Sequence, residues 1–215
     1  MMQDLSILYS FRRCPYAMRA RLGLVFAETP VILREIVFWN KPAHMLAISP
    51  KGTVPVLQLA SAEEIDESID IVSWALEQQD PHGLLNGDLV QADLLIQRND
   101  REFKYWLDRY KYADRYPEQN QLDYRQQGEQ FLHTLEGLLM QQAYLLGSKI
   151  SKADIAIMPF VRQFAHVNQA VFERLPYPHV QKWLSQWLAH PKFLQVMKKY
   201  QPWQEGDEPV YLHHH

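Results

Sequence analysis

A single cysteine, Cys14, stands in the whole chain, so no intrachain disulfide can form and no thiol-rich metal site can be assembled from it. Nothing in that usage calls for an oxidising compartment, and a reducing cytoplasm is the expected location. No uninterrupted apolar run approaches the roughly 18 residues of a membrane helix. No basic segment followed by an apolar one opens the chain, so neither a membrane span nor a signal peptide is expected. Long basic runs are missing too, and the formal net charge is −3, which argues against nucleic acid as a partner. Repeats and low-complexity tracts are absent. What remains is an ordinary globular composition of 215 residues, 47% hydrophobic and 22% charged, enough for one large domain or two small ones. His213, His214 and His215 read as the remnant of a purification tag, with three native histidines as the alternative. They are excluded from metal reasoning, and no metal is expected.

The chain changes rhythm near residue 80. Before it, short strand-like runs alternate with helical ones: Leu5 to Tyr9, then a helix over Pro15 to Glu28, then Val31 to Val37, Val54 to Leu59 and a short Glu64 to Asp66. Met18, Leu22, Val25 and Phe26 recur at helical spacing and make one buried face. Ser68 precedes IDIVSWALEQ as a helix N-cap. The first two strands with their helix fit a right-handed parallel crossover, and the last two are close enough for a hairpin. Residues 81–88, in the turn-rich stretch DPHGLLNGD, form the linker. Beyond it, helical periodicity predicts one long helix over Leu89 to Tyr112, others over Leu122 to Gln142 and Ser151 to Val167, a fourth carrying Val180, Leu184, Trp187 and Leu188, and a short one after Pro191. Residues 1–80, 89–200 and 201–215 are thus read as a mixed domain, a helical domain and a tail.

Three motifs carry chemistry. In Arg12-Arg13-Cys14-Pro15-Tyr16-Ala17 the proline suits a first helical position, where its missing N–H costs nothing. Cys14 then sits at the cap, where unpaired amides and the helix dipole favour a thiolate. A buried structural cysteine is the plain alternative for an isolated residue of this type; the strand–Cys–Pro–helix setting favours the reactive one. The partner position of a two-cysteine redox motif is Ala17, so no neighbour resolves a mixed disulfide and a second small thiol must do so. In Lys51-Gly52-Thr53-Val54-Pro55-Val56-Leu57, a proline at a strand start is either an ordinary trans residue or a cis one that turns the Val54 backbone outward toward a ligand. Glu67-Ser68 is either a solvated acid beside a cap, or a carboxylate beside helix amides that together bind an amino-acid-like group.

RCPYA, GTVPVL and ESIDIVSWAL, in this order and spacing, together resemble the glutathione S-transferase superfamily, most nearly its omega-like and bacterial cysteine-type members. The resemblance implies an α/β thioredoxin-like N-terminal domain plus an all-α C-terminal helical domain, with glutathione as co-substrate. It makes Cys14 the catalytic residue that forms a mixed disulfide with glutathione. Val54 pairs its backbone with the cysteinyl part, Pro55 is the cis proline, Glu67 and Ser68 hold the γ-glutamyl end, and Lys41 reaches the glycyl carboxylate. Ser151 and Asp154 in SKADIAIMPF match a folding cap. The second-substrate pocket varies within the superfamily; Phe11, Tyr105, Trp106 and Tyr110 are candidates for its lining, although aromatic residues at helical spacing are more often core. Tyr9 and Tyr16 lie near Cys14, but a cysteine in the matching position argues against an activating tyrosine. Arg12 and Arg13 are read as steering an anionic tripeptide, and Arg19 as part of a solvated helix face. A homodimer is implied by resemblance alone.

The expected function is a glutathione-dependent thiol transferase or reductase acting on a small electrophilic or disulfide substrate. Conjugation of glutathione to electrophiles is the runner-up, weakened because S–H is a poor donor for holding a second thiolate. A non-catalytic partner protein of the same superfamily is the third alternative.

Overall fold

The structure, a computed structural model, describes residues 5–212; the suspected tag residues His213 to His215 lie outside them. The chain divides into two compact units, one of residues up to 82 together with those from 191 onward, the other of residues 83–190.

The first unit is built on a four-stranded sheet of order β2-β1-β3-β4, with β1 at Ile7–Ser10, β2 at Ile32–Glu35, β3 at Val56–Gln58 and β4 at Glu64–Ile65. The expected crossover is present: β1 and β2 are parallel, joined through α1 (Pro15–Phe26). The expected hairpin is present too, with β3 antiparallel to both β1 and β4. Each strand is shorter than the apolar run that predicted it. The stretch between β2 and β3 holds a short helix, α2 (Ala43–Ile48), and α3 (Ser68–Gln78) closes the segment.

Alternation along the strands sorts side chains between two faces. Leu8, Leu33 and Leu57 are register partners on one face, with Ser10 opposite Glu35. Tyr9 stands between Arg34 and Val56 on the other, where Met45 of α2 shares its buried cluster. α1 and α3 pack closely. A Cβ at Gly23 would lie 2.8 Å from Val72 Cγ2, so only glycine permits this approach of the two helices.

The sequence reading treats Pro191 onward as the end of the helical domain followed by a tail. In the structure this segment belongs to the first unit. α10 (Pro191–Val196) docks on α1: Lys192 Nζ donates to the Val25 carbonyl at 3.0 Å, and Arg21 donates to that of Val196 at 3.0 Å. The following strap then runs along the outer edge of β2. Trp203 N bonds Glu35 O at 2.7 Å, Leu33 N bonds Val210 O at 2.7 Å and Leu212 N bonds Val31 O at 3.1 Å. An otherwise open sheet edge is thereby covered. Nothing in the strap's own composition announces this, because the partner that completes its backbone pairing lies some 170 residues away.

The second unit is helical: α4 (Leu89–Arg98), α5 (Lys104–Lys111), α6 (Gln121–Leu139), α7 (Lys152–Ala165), the unanticipated short α8 (Gln169–Phe172), and α9 (Pro178–Ala189). The long helix expected over Leu89 to Tyr112 is α4 and α5 joined by a π-helical turn, Asn99–Phe103. That wider turn keeps Phe103 in the core, against Phe131 at 5.0 Å and Phe164 at 5.5 Å between ring centroids.

Two carboxylates organise the unit. Asp154, fully buried, forms the expected capping box with Ser151 and accepts from Ser151 Oγ at 2.6 Å, Leu145 N at 3.0 Å and Trp183 Nε1 at 2.9 Å. Burial pushes its pKa up despite these donors. Glu136 of α6 caps α9 from outside that helix, accepting from His179 N at 3.1 Å, Val180 N at 2.9 Å and the His179 ring at 2.7 Å. Burial raises its pKa, but those donors outweigh it, and the pKa falls below the ordinary 4.5. A depressed carboxylate stabilises the fold above its unfolded pKa and loses that contribution as pH falls through the folded value. Glu136→Gln therefore lowers the melting temperature at neutral pH, and the gap from the unmodified protein closes as the pH is taken well below 4.5; thermal melts across a pH series measure this.

Candidate functional site

The chain turns from β1 into α1 through Phe11 to Cys14, and Cys14 N bonds Phe11 O at 3.0 Å. Cys14 occupies the N-cap position of α1 in extended backbone geometry, with Pro15 opening the helix as expected. Its carbonyl accepts from Met18 N at 2.9 Å. The side chain is half-buried and in no disulfide, packed beside Phe11 against the cluster containing Tyr9, Val54 and Val56. Cys14 Sγ lies 3.7 Å from the Val54 carbonyl oxygen, to which it donates. The thiol is thus neither sealed in the core nor loose on the surface.

The Val54–Pro55 peptide bond is cis, as the ligand-facing reading of that motif anticipates. It lies immediately before β3, and the loop leading to it is tied down on both sides. Gly52 takes a left-handed conformation, φ 61°, and a Cβ there would lie 3.2 Å from Lys41 Nζ; Lys41 therefore runs along the loop. Lys51 reaches Glu67 at 2.8 Å and Asp66 at 3.1 Å. These two carboxylates hold the Lys51 pKa above its usual value, the bond to Glu67 contributing most.

Glu67, not Ser68, is the N-cap residue of α3, and Ser68 is its first helical residue. The apolar run that places the helix cannot fix its cap to one residue. Ser68 is buried, and its Oγ accepts from Arg19 NH1 at 3.3 Å. Arg19, expected on a solvated face, is only 1% exposed. α1 is flanked by the sheet and α3, so its arginines have no solvent side to occupy.

Contacts within the first unit thus connect the candidates: Cys14 with Val54, Lys41 with Gly52, Lys51 with Glu67, and Arg19 with Ser68. Tyr9 is fully buried, with its hydroxyl on His44 Nδ1 at 2.6 Å. Among the pocket candidates, Phe11 lies on the thiol turn, edge-on to Phe38 at 4.8 Å. Tyr105 is 45% exposed under the Arg109 guanidinium, and Trp106 stacks on Tyr124 at 6.3 Å. Tyr110 is 4% exposed and packs on Phe164 at 5.0 Å; it is core, and burial raises its pKa. Its helical spacing with Trp106 is consistent with either role, and only the packing of α5 on α7 separates them.

Sequence reasoning passed over the group that fixes the thiol turn. Glu35 accepts from Arg12 N at 2.7 Å through one carboxylate oxygen and pairs with the buried Arg21 guanidinium through the other. Arg21 Nε also donates to Ser10 Oγ at 2.7 Å. Burial lowers the Arg21 pKa, and Glu35 opposes that fall. Alternation in VILREIV was the available signal, since it puts Glu35 on the leucine face.

Family models for the glutathione S-transferase N-terminal domain and C-terminal domain match residues 8–83 and 98–191 of this chain. The chain belongs to the glutathione S-transferase superfamily. A glutathione S-transferase-like protein of Beauveria bassiana is 26% identical over 192 residues, covering 83% of this chain and 88% of that protein. Solved structures of superfamily members share the fold. A glutathione transferase family member from Pseudomonas fluorescens, crystallised with two glutathione bound, is 16% identical with a TM-score of 0.76, covering 92% of this chain and 94% of its own. A glutathione transferase from Phanerochaete chrysosporium, in complex with oxidized glutathione, is 18% identical with a TM-score of 0.76, covering 91% and 96%. Among the described residues no group of three His, Cys, Asp or Glu is arranged to hold a metal ion, and no helix is long and apolar enough to cross a membrane.

Glu35→Ala removes the partner of a buried cation and costs about 3–5 kcal/mol, measurable by denaturant unfolding; Arg21→Met combined with it recovers part of that loss. Gly52→Ala forces a Cβ into the left-handed region and costs about 1–2 kcal/mol in the same assay.

Proposed function

We propose that the chain is a glutathione-dependent thiol transferase of the omega-like, bacterial cysteine type, working through a Cys14–glutathione mixed disulfide. The observation that carries this reading is the placement of the one cysteine. It sits half-buried at the N-cap of α1, with Sγ 3.7 Å from the carbonyl of Val54 at the cis peptide. A cysteinyl ligand pairing with the Val54 backbone would bring its own sulfur beside Cys14.

Cys14, as thiolate, attacks the glutathionyl sulfur of a mixed disulfide. The new sulfur–sulfur bond joins Cys14 to glutathione, and the substrate sulfur leaves as a thiolate that takes a proton from water. A second glutathione thiolate then attacks the glutathionyl sulfur, releasing glutathione disulfide and regenerating the Cys14 thiolate. No other cysteine exists in the chain, so the second step must come from solution.

The remaining candidates take complementary parts. Ser68 Oγ already accepts from Arg19, which leaves its O–H to donate to the α-carboxylate of the γ-glutamyl end. Glu67 receives that end's ammonium, sharing its carboxylate with Lys51. Val54 and Pro55 hold the cysteinyl backbone, and Lys41 meets the glycyl carboxylate. Phe11, beside the thiol, is the favoured contact for the second substrate, a small disulfide or electrophile. The working form is a cytoplasmic homodimer.

Incubation with glutathione disulfide followed by intact mass and peptide mapping yields one glutathione adduct, on Cys14, released by free glutathione. Cys14→Ser abolishes disulfide reduction. If that variant keeps full reductase activity, the reading is wrong; if it loses reduction but retains or gains conjugation of an aryl halide, the site still binds glutathione and the lost step is the one that needs the Cys14 sulfur.

A further inference from the structure

Behind the sheet from Glu35 lies a second feature that the thiol chemistry does not use. The strap meets β2 through Trp203 on Glu35 at one end of a bow and Val210 on Leu33 at the other. Between them, residues 204–209 bow away from the edge. The bow keeps its own shape: Gln204 N donates to Asp207 Oδ2 at 2.8 Å, and Asp207 N bonds Gln204 O at 3.1 Å. Beneath it, and beside the start of α2, is a cavity of about 540 Å³.

The floor of this cavity carries an arginine in an unusual state. Arg34 stacks on the Trp203 indole, its guanidinium carbon 4.0 Å from the ring centroid. One terminal nitrogen donates to Tyr9 Oη, whose oxygen also meets His44 Nδ1. Its Nε is buried without a hydrogen-bond partner, and among the described residues Arg34 forms no ion pair. A buried donor on a cation with nothing to donate to costs stability. Glu205 and Asp207 bring negative charge to the same cavity without closing on Arg34. Ile7, Pro42 and the Trp203 ring supply apolar wall.

We propose that this cavity binds a small zwitterion of the α-amino-acid type with an apolar side chain. Its carboxylate meets Arg34, its ammonium faces Glu205 and Asp207, and its side chain lies along Trp203 and Ile7. An anion alone would feel the two acids, and a cation alone would feel Arg34; a ligand carrying both charges satisfies both walls. A charge-assisted hydrogen bond from the other terminal nitrogen of Arg34 to the carboxylate gives the orientation. The site draws on none of Cys14, Val54, Glu67 or Ser68 and stands whether or not the thiol-transfer reading does.

The test is calorimetric titration of the full chain with L-phenylalanine, N-acetyl-L-phenylalanine and L-phenylalaninamide. L-phenylalanine binds with a dissociation constant of about 1 mM or tighter, and removing either of its charges weakens binding by about tenfold or more. Arg34→Gln abolishes binding of the amino acid. Glu205→Gln with Asp207→Asn weakens L-phenylalanine while the N-acetyl form binds no more weakly than before, a check that does not depend on the Arg34 variant folding. Alkylation of Cys14 with iodoacetamide and saturation with S-methylglutathione leave the affinity as it was. The proposal is overturned if L-phenylalanine fails to bind at about 10 mM, if its neutral-ended analogues bind equally well, or if S-methylglutathione displaces it.

Discussion

The carboxylate of Glu35 is the joint on which the first unit hangs. It lies on the leucine face of the sheet, where water cannot solvate it, and so needs cationic and N–H partners from the protein itself. Arg21 comes from α1, Arg12 N from the turn that leads to Cys14, and the backbone carbonyl of the same residue accepts from Trp203 at 2.7 Å. One residue thereby fixes the helix to the sheet, the thiol-bearing turn to the strand, and the C-terminal strap to the sheet edge. Arg21 extends the joint to α10 through the Val196 carbonyl. Such a pair is a weak source of net stability compared with hydrophobic packing. Its value lies in geometry: a charge that must be satisfied in one arrangement permits few others.

The two faces of the sheet divide the labour. On the α1 and α3 face, arginines that look like surface residues are buried and spent on Glu35, Ser10 and Ser68. On the α2 face, Arg34 is left with an unanswered donor under the strap. The same residue type is enclosed by partners on one side and lines a cavity on the other, and strand alternation decides which. Site geometry follows from this division. The helix that presents Cys14 is positioned by charges beneath it, and the loop that carries the cis peptide facing the thiol is held by the Lys51 ion pair to Glu67.

Much of the site was legible because it is local. Cys14-Pro15 at the start of a helix and the Ser151–Asp154 cap each depend on residues a few positions apart, whereas the cis form of Pro55 followed from the family resemblance and not from its neighbours. The long-range contacts were not legible. Arg19 reads as part of a solvated helix face, and Arg21 drew no reading; their burial comes from α3 and α10 packing on either side. Tyr110 has the spacing of a pocket residue, and α7 turns it into core. The π-helical turn at Asn99–Phe103 leaves a helical pattern unbroken, so periodicity predicts one uniform helix there.

By itself the sequence determined most of the element order, the parallel crossover with its hairpin, and the place of the one cysteine at a helix start, because period, caps and proline positions act within a few residues of chain. Tertiary structure alone decided which charges are buried, that the C-terminal strap returns to β2, and that a cavity opens beneath its bow. These outcomes rest on unsatisfied backbone and charged groups finding partners far along the chain, and a side chain's own neighbours in sequence carry no record of that pairing.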